Sequence, residues 1–74
     1  MTLDYYIIKP SIAHDLAAAY AFQVIGRSYV TRRELRRVVC PKLNITRREA
    51  RGLEKDLVAR GQLIPLPHGA YRQK

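Results

Sequence analysis

The chain has 74 residues, with 14 Lys and Arg against six Asp and Glu, a net charge of +8 and a pI near 10.3. That length admits one domain and argues against a deep catalytic cavity, because so short a chain buries only roughly 60% of the surface it exposes when unfolded. At 47% hydrophobic and 27% charged it is too apolar for a disordered tail, and its apolar runs break too soon to span a bilayer. The single cysteine closes no intrachain disulfide, and no Cys/His cluster has zinc-ligand spacing, so neither metal nor cofactor is expected. Met1 to Pro10, with two tyrosines, an aspartate and one lysine, lacks the basic start and long apolar run of a secretory signal. A cytoplasmic or nucleoid-associated location is expected.

The charge is unevenly spread. Up to Gly26 there is one cation, Lys9, against Asp4 and Asp15; the remainder carries 13 cations against Glu34, Glu49, Glu54 and Asp56. Cations gathered on one part of a small domain repel one another unless a polyanion relieves them, so nucleic acid is the first partner to consider. A membrane surface would need a longer basic amphipathic helix than any readable here.

In chain order, residues 1–10 read as a strand or extended arm, since Leu3 to Lys9 is rich in Tyr and Ile and Pro10 stops it. Residues 11–74 form the domain proper. Its first helix starts at Ser11 as cap, repeats Ala13, Leu16, Ala17, Tyr20 and Val24 at helical spacing, and stops at Gly26. Phe22 and Ile25 make it apolar on a further side, which suits a central helix or one that also meets a partner subunit. Together with Tyr5, Tyr6, Ile7 and Ile8, this points to a homodimer formed through residues 3–25 or to cover for the monomer's own core.

Arg27 to Val30 reads as a short strand. The tetrapeptide Thr-Arg-Arg-Glu then occurs twice, at Thr31–Glu34 and Thr46–Glu49, and each copy is a capping box that starts a helix. The first of these helices is expected to end near Cys40, because Pro41 follows. The second runs to Arg60 and ends at Gly61. Wheel positions place Leu53, Leu57 and Ala50 on a narrow apolar stripe, opposite Arg48, Arg51, Lys55 and Gly52. In the helix before it, Leu35, Val38 and Val39 face inward and Arg33, Arg36 and Arg37 outward. Gly52 is costly inside a helix, and close approach of a partner backbone would be one reason for it. Gln62 to Leu66 reads as an edge strand, since it contains Pro65; Pro67-His68-Gly69 is a turn and Ala70 to Arg72 a returning strand.

Helix, short strand, helix, tight turn, helix and hairpin is an order that resembles the winged helix-turn-helix family over roughly Ser11 to Lys74. The most telling stretch is Leu53 to Ile64, with its Leu-x-x-x-Gly-x-Leu-Ile turn at Leu57–Ile64, followed by Gly69-Ala70-Tyr71-Arg72. The resemblance implies a mostly α fold, a three-helix core plus a C-terminal wing. It also implies sequence-specific binding to double-stranded DNA, as a small transcriptional regulator with recognition helix 46–60 in the major groove. Arg47, Arg48 and Arg51 would then read bases. Arg32, Arg33, Arg36, Thr46 and Lys55 would meet phosphates, helped by free N–H groups at the helix starts. His68, Tyr71, Arg72 and Lys74 would act from the wing. Two departures from the family pattern stand out, a turn between the two helices that contains Cys40-Pro41 and a hairpin poor in cations.

The alternatives are a winged-helix module that grips an acidic protein, as an adaptor or inhibitor would, or an RNA binder. An enzyme is not expected. Its only candidates would be Cys40, His14 and His68, read respectively as a small core residue, a boundary histidine and a solvated or phosphate-contacting loop residue.

Overall fold

The structure is a computed structural model that describes residues 10–74, with side chains from Ile12 onward. The arm or strand expected before Pro10, and the part of the expected dimer surface that falls there, lie outside the described residues. The elements are α1 (Pro10–Ile25), β1 (Tyr29–Thr31), α2 (Arg32–Leu43), α3 (Arg47–Ala59), β2 (Leu63–Leu66) and β3 (Ala70–Gln73). Among the described residues, three helices thus pack with a three-stranded antiparallel sheet of order β1-β3-β2.

Helix α1 starts at Pro10, one residue before the expected cap, where the fixed φ of proline suits a first helical position. It ends at Gly26, whose φ of 73° is left-handed and whose N–H donates to Phe22 O at 2.8 Å. Its core-facing side is Ala17, Ala18, Ala21 and Phe22. The larger Leu16, Tyr20 and Val24 of the expected periodic set point outward instead. The small residues win the inner side because they let α1 approach the other helices closely.

Both capping boxes form. Thr31 Oγ1 accepts from Glu34 N and Thr46 Oγ1 from Glu49 N, each at 3.1 Å, and each glutamate accepts from the threonine N–H at 2.9 Å. Helix α2 does not stop at Cys40. It continues through Pro41 to Leu43 and closes at Asn44, which adopts a left-handed φ of 55°. Cys40 O accepts from both Asn44 N and Ile45 N, the latter at 3.0 Å, so the carbonyls of the last turn are satisfied by a left-handed cap. Proline forfeits one N–H near the helix end, a smaller loss than in the interior, and this cap offsets it. Helix α3 ends at Ala59, one residue earlier than expected, with Arg60 as its cap; Gly61 follows in the expected left-handed turn, φ 74°, with Gln62 N donating to Leu57 O at 2.8 Å.

In the sheet, β3 is central: Val30 pairs with Tyr71 on one side and Pro65 with Tyr71 on the other. Pro65 therefore sits on an edge strand, where its missing N–H costs no ladder bond. The core joins α1 through the four residues named above to Leu35 and Val39 of α2, Ala50, Leu53 and Leu57 of α3, Val30, Leu63 and Tyr71. Val38, expected inside, is only partly buried.

A polar clamp fixes α1 to α3. Arg60 Nη2 donates to Asp15 Oδ1 at 2.9 Å and to Asp56 Oδ2 at 2.8 Å, while His14 Nδ1 lies 2.8 Å from the same Asp56 oxygen. Arg60 first, then His14, holds the Asp56 carboxyl down to about 2. A depressed carboxyl contributes stability above its unfolded value near 4 and loses it as pH falls toward the folded one. We expect thermal stability to drop between about pH 4 and pH 2, and Asp56→Asn to flatten that part of a Tm-against-pH curve. An unchanged acid limb in the variant would remove Asp56 from this role.

Candidate nucleic-acid interface

The basic residues of α2 and α3 converge on two adjoining grooves. One is lined by Arg32, Arg33, Arg36, Arg37 and Arg47 together with Cys40 and Pro41. The other lies between α3 and the β2–β3 hairpin and takes in Arg51 and Lys55, with Leu66, Gly69 and Ala70 on the hairpin side. Arg32 and Arg36 line both. The convergence follows from helical spacing: Arg33 and Arg37 are one turn apart on α2, as are Arg47, Arg51 and Lys55 on α3.

A buried carboxylate lines the second groove, beside the two arginines that the grooves share. Glu54 is 4% exposed, and three elements meet at it. Arg36 Nε donates to Oε2 at 2.7 Å, Tyr71 Oη donates to Oε1 at 2.7 Å, and Arg32 Nε lies 3.4 Å from Oε1. Burial, and then the hydrogen bond to Glu54, pushes the Tyr71 phenol up, so at neutral pH it remains a donor. Among the described residues no buried side-chain polar atom lacks a partner.

This hub changes the reading of several expected contacts. Tyr71, expected on the wing, is 7% exposed with its hydroxyl on Glu54; the alternation of β3 turns it inward, opposite its neighbour Arg72. Arg36 is a half-buried partner of Glu54 before it is anything else. Arg32 is more exposed and only partly committed. The start of α2 is also less open than expected, because Arg32 N donates to Gly69 O at 2.9 Å and Glu34 N is taken by the cap.

Other expected contacts stay on the surface. Arg33, Arg47, Arg48, Arg51, Lys55 and Thr46 are exposed, as are His68, Arg72 and Lys74. Arg48, however, lines neither groove. Among the described residues no carboxylate lies within ion-pair distance of Arg33, Arg37, Arg47, Arg48, Arg51 or Lys55. The hairpin loop, Pro67 to Gly69, holds no Lys or Arg, and His68 and Gly69 both take left-handed φ values, 66° and 73°.

Sequence reasoning gave no role to two residues of this region. Arg37 had one available signal, its position one turn after Arg33. Glu54 had a weaker one: at 100° per residue it falls beside the Ala50 edge of the apolar stripe, where a carboxylate must be either solvated or paired. Gly52 is exposed, and a β-carbon there would meet nothing within 4 Å, so the protein's own packing does not require it.

Comparison with family models, curated proteins and solved structures finds no match to this chain. Among the described residues no group of His, Cys, Asp and Glu could hold a metal ion, and no helix is long and apolar enough to cross a membrane.

Glu54→Ala strands the Arg36 guanidinium and the Tyr71 hydroxyl together, and we expect it to cost about 3 kcal/mol in denaturant unfolding, against about 1 kcal/mol for Tyr71→Phe. Equal small losses would show that Glu54 is solvated. Gly52→Ala should instead stabilise the fold by about 1 kcal/mol; a loss on the same measurement would mean that the helix needs the missing side chain.

Proposed function

We propose that this chain is a winged helix-turn-helix domain that binds double-stranded DNA in a sequence-dependent manner, as a small transcriptional regulator. Two features support the fold reading: the element order α1-β1-α2-α3-β2-β3, and a sheet in which the hairpin strand β3 pairs back onto β1. The observation that carries the functional reading is the set of exposed cations on α2 and α3 that have no carboxylate partner among the described residues and line two adjoining grooves, the second of which is walled in part by Glu54.

The roles follow from position. Helix α3 enters the major groove, and Arg48 and Arg51 on its outer side reach base edges, where a bidentate arginine–guanine pair discriminates by roughly 1–3 kcal/mol. Arg47 shares its groove with Arg33 and Arg37, so these three hold the phosphate backbone, and Lys55 holds a second stretch one turn deeper. Arg32 contributes its exposed edge. Arg36 works indirectly, by fixing Glu54 and so the angle between α2 and α3. With so short a loop and no Lys or Arg in it, the wing adds little beyond Arg72 and Lys74.

Titrating duplex DNA at several salt concentrations tests this. With about four or five phosphates neutralised, log affinity should fall against log salt with a slope of about −4. Arg51→Ala should weaken the preference at one base position, whereas Arg33→Ala should weaken all sequences alike and lower the slope by about 1. A slope near zero would overturn the duplex reading.

A further inference from the structure

We propose that the outer face of α1 is a homodimer interface, on which α1 of a second copy of this chain packs antiparallel. Ile12, Leu16, Tyr20 and Val24 are 46%, 59%, 41% and 56% exposed. They recur every four residues and so form one ridge about 18 Å long. At 100° per residue this ridge lies opposite the buried Ala17, Ala18, Ala21 and Phe22, so α1 is apolar on both of its sides.

The absence of charge from the ridge is the second observation. From Ile12 to Ile25 the only ionisable residues besides Tyr20 are His14 and Asp15, and both turn to Asp56 and Arg60 at the α3 end. Around the ridge lie Ala19 and Gln23, both exposed, with Lys42 at the rim, its Nζ 4.2 Å from the centre of the Tyr20 ring. In a chain of net charge +8, two copies meet with least repulsion where cations are fewest. Neither arginine-lined groove includes a residue of α1, so pairing here leaves both grooves open and does not depend on what they bind.

The spacing also selects the occupant. Four evenly spaced residues are self-complementary about a two-fold axis near residue 18: Ile12 faces the partner's Val24, and Leu16 the partner's Tyr20. The exposed area of the four is on the order of 400 Å² per molecule, within the range of the largest apolar patch on a typical monomer, which is often functional. With the flanking Ala19 and Gln23 it approaches the lower end of stable interfaces.

The test is sedimentation equilibrium of the full chain. The expected result is a dimer with a dissociation constant on the order of 10 μM, tightening between about 0.1 and 1 M salt as the charge repulsion is screened. Leu16→Glu should raise that constant by at least about tenfold while helix content by circular dichroism stays unchanged. Val24→Glu should do the same and decides the matter should the first variant fail to fold. A chain that remains monomeric at about 1 mM would overturn the proposal, as residues 1–9 covering the ridge would produce. So would a dimer that dissolves in high salt, the mark of a bridging polyanion, or one that persists in both variants.

Discussion

Glu54 is the constraint on which the arrangement of this protein rests. A carboxylate this deeply buried is tolerable only when its lone pairs are met, and here they are met by residues from α2 and β3 while the glutamate itself belongs to α3. The three elements that border the basic grooves are therefore tied at one point. Moving any of them leaves a buried charge or a buried hydroxyl unpaired, a penalty comparable to a sizeable part of the total stability of so small a domain. Apolar contacts are tolerant of small shifts. This hub is not, and it gives the angle between α2 and α3 a definite value.

The remaining acids follow the same logic. Asp15 and Asp56 engage Arg60, Glu34 engages Arg27 and the cap of α2, and Glu49 closes the cap of α3. Every carboxylate among the described residues is thus committed to holding the framework together. The cations outnumber them, and among the described residues most of those left without acidic partners lie on α2 and α3. A strong positive field on one region is the electrostatic consequence of committing the described carboxylates to structure. Such a field favours a partner with regularly spaced negative groups, which a nucleic-acid backbone supplies.

Helix α1 shows the other limit on a chain of this size. Its inner side supplies mainly alanines and one phenylalanine to the core, so α1 lies close to its neighbours but buries little area per residue. Much of its larger apolar surface faces away. A short chain with a modest core gains by burying such a surface against a second molecule, and pairing also doubles the number of basic faces without lengthening the polypeptide.

Local chemistry alone determined much of this structure. The paired Thr-Arg-Arg-Glu boxes, the glycine stops at Gly26 and Gly61, the edge strand marked by Pro65 and the Ala50, Leu53, Leu57 stripe depend on residues within one or two turns of each other, and they were readable in order along the chain. Arg33, Arg47 and Arg51 were legible as outward cations for the same reason. What only the tertiary structure decided involves contacts between distant residues. Tyr71, on the inward face of β3, has its hydroxyl on Glu54, 17 positions earlier. Arg36 became structural because the same carboxylate needed a counter-charge 18 positions away. The continuation of α2 through Pro41 depended on Asn44 accepting a left-handed backbone, and the outward ridge of α1 on smaller residues filling the space against α2 and α3. Periodicity tells which residues can share a face, but it carries no information about which face meets which, because that depends on whose volume fits and whose charge finds a partner once the elements are packed.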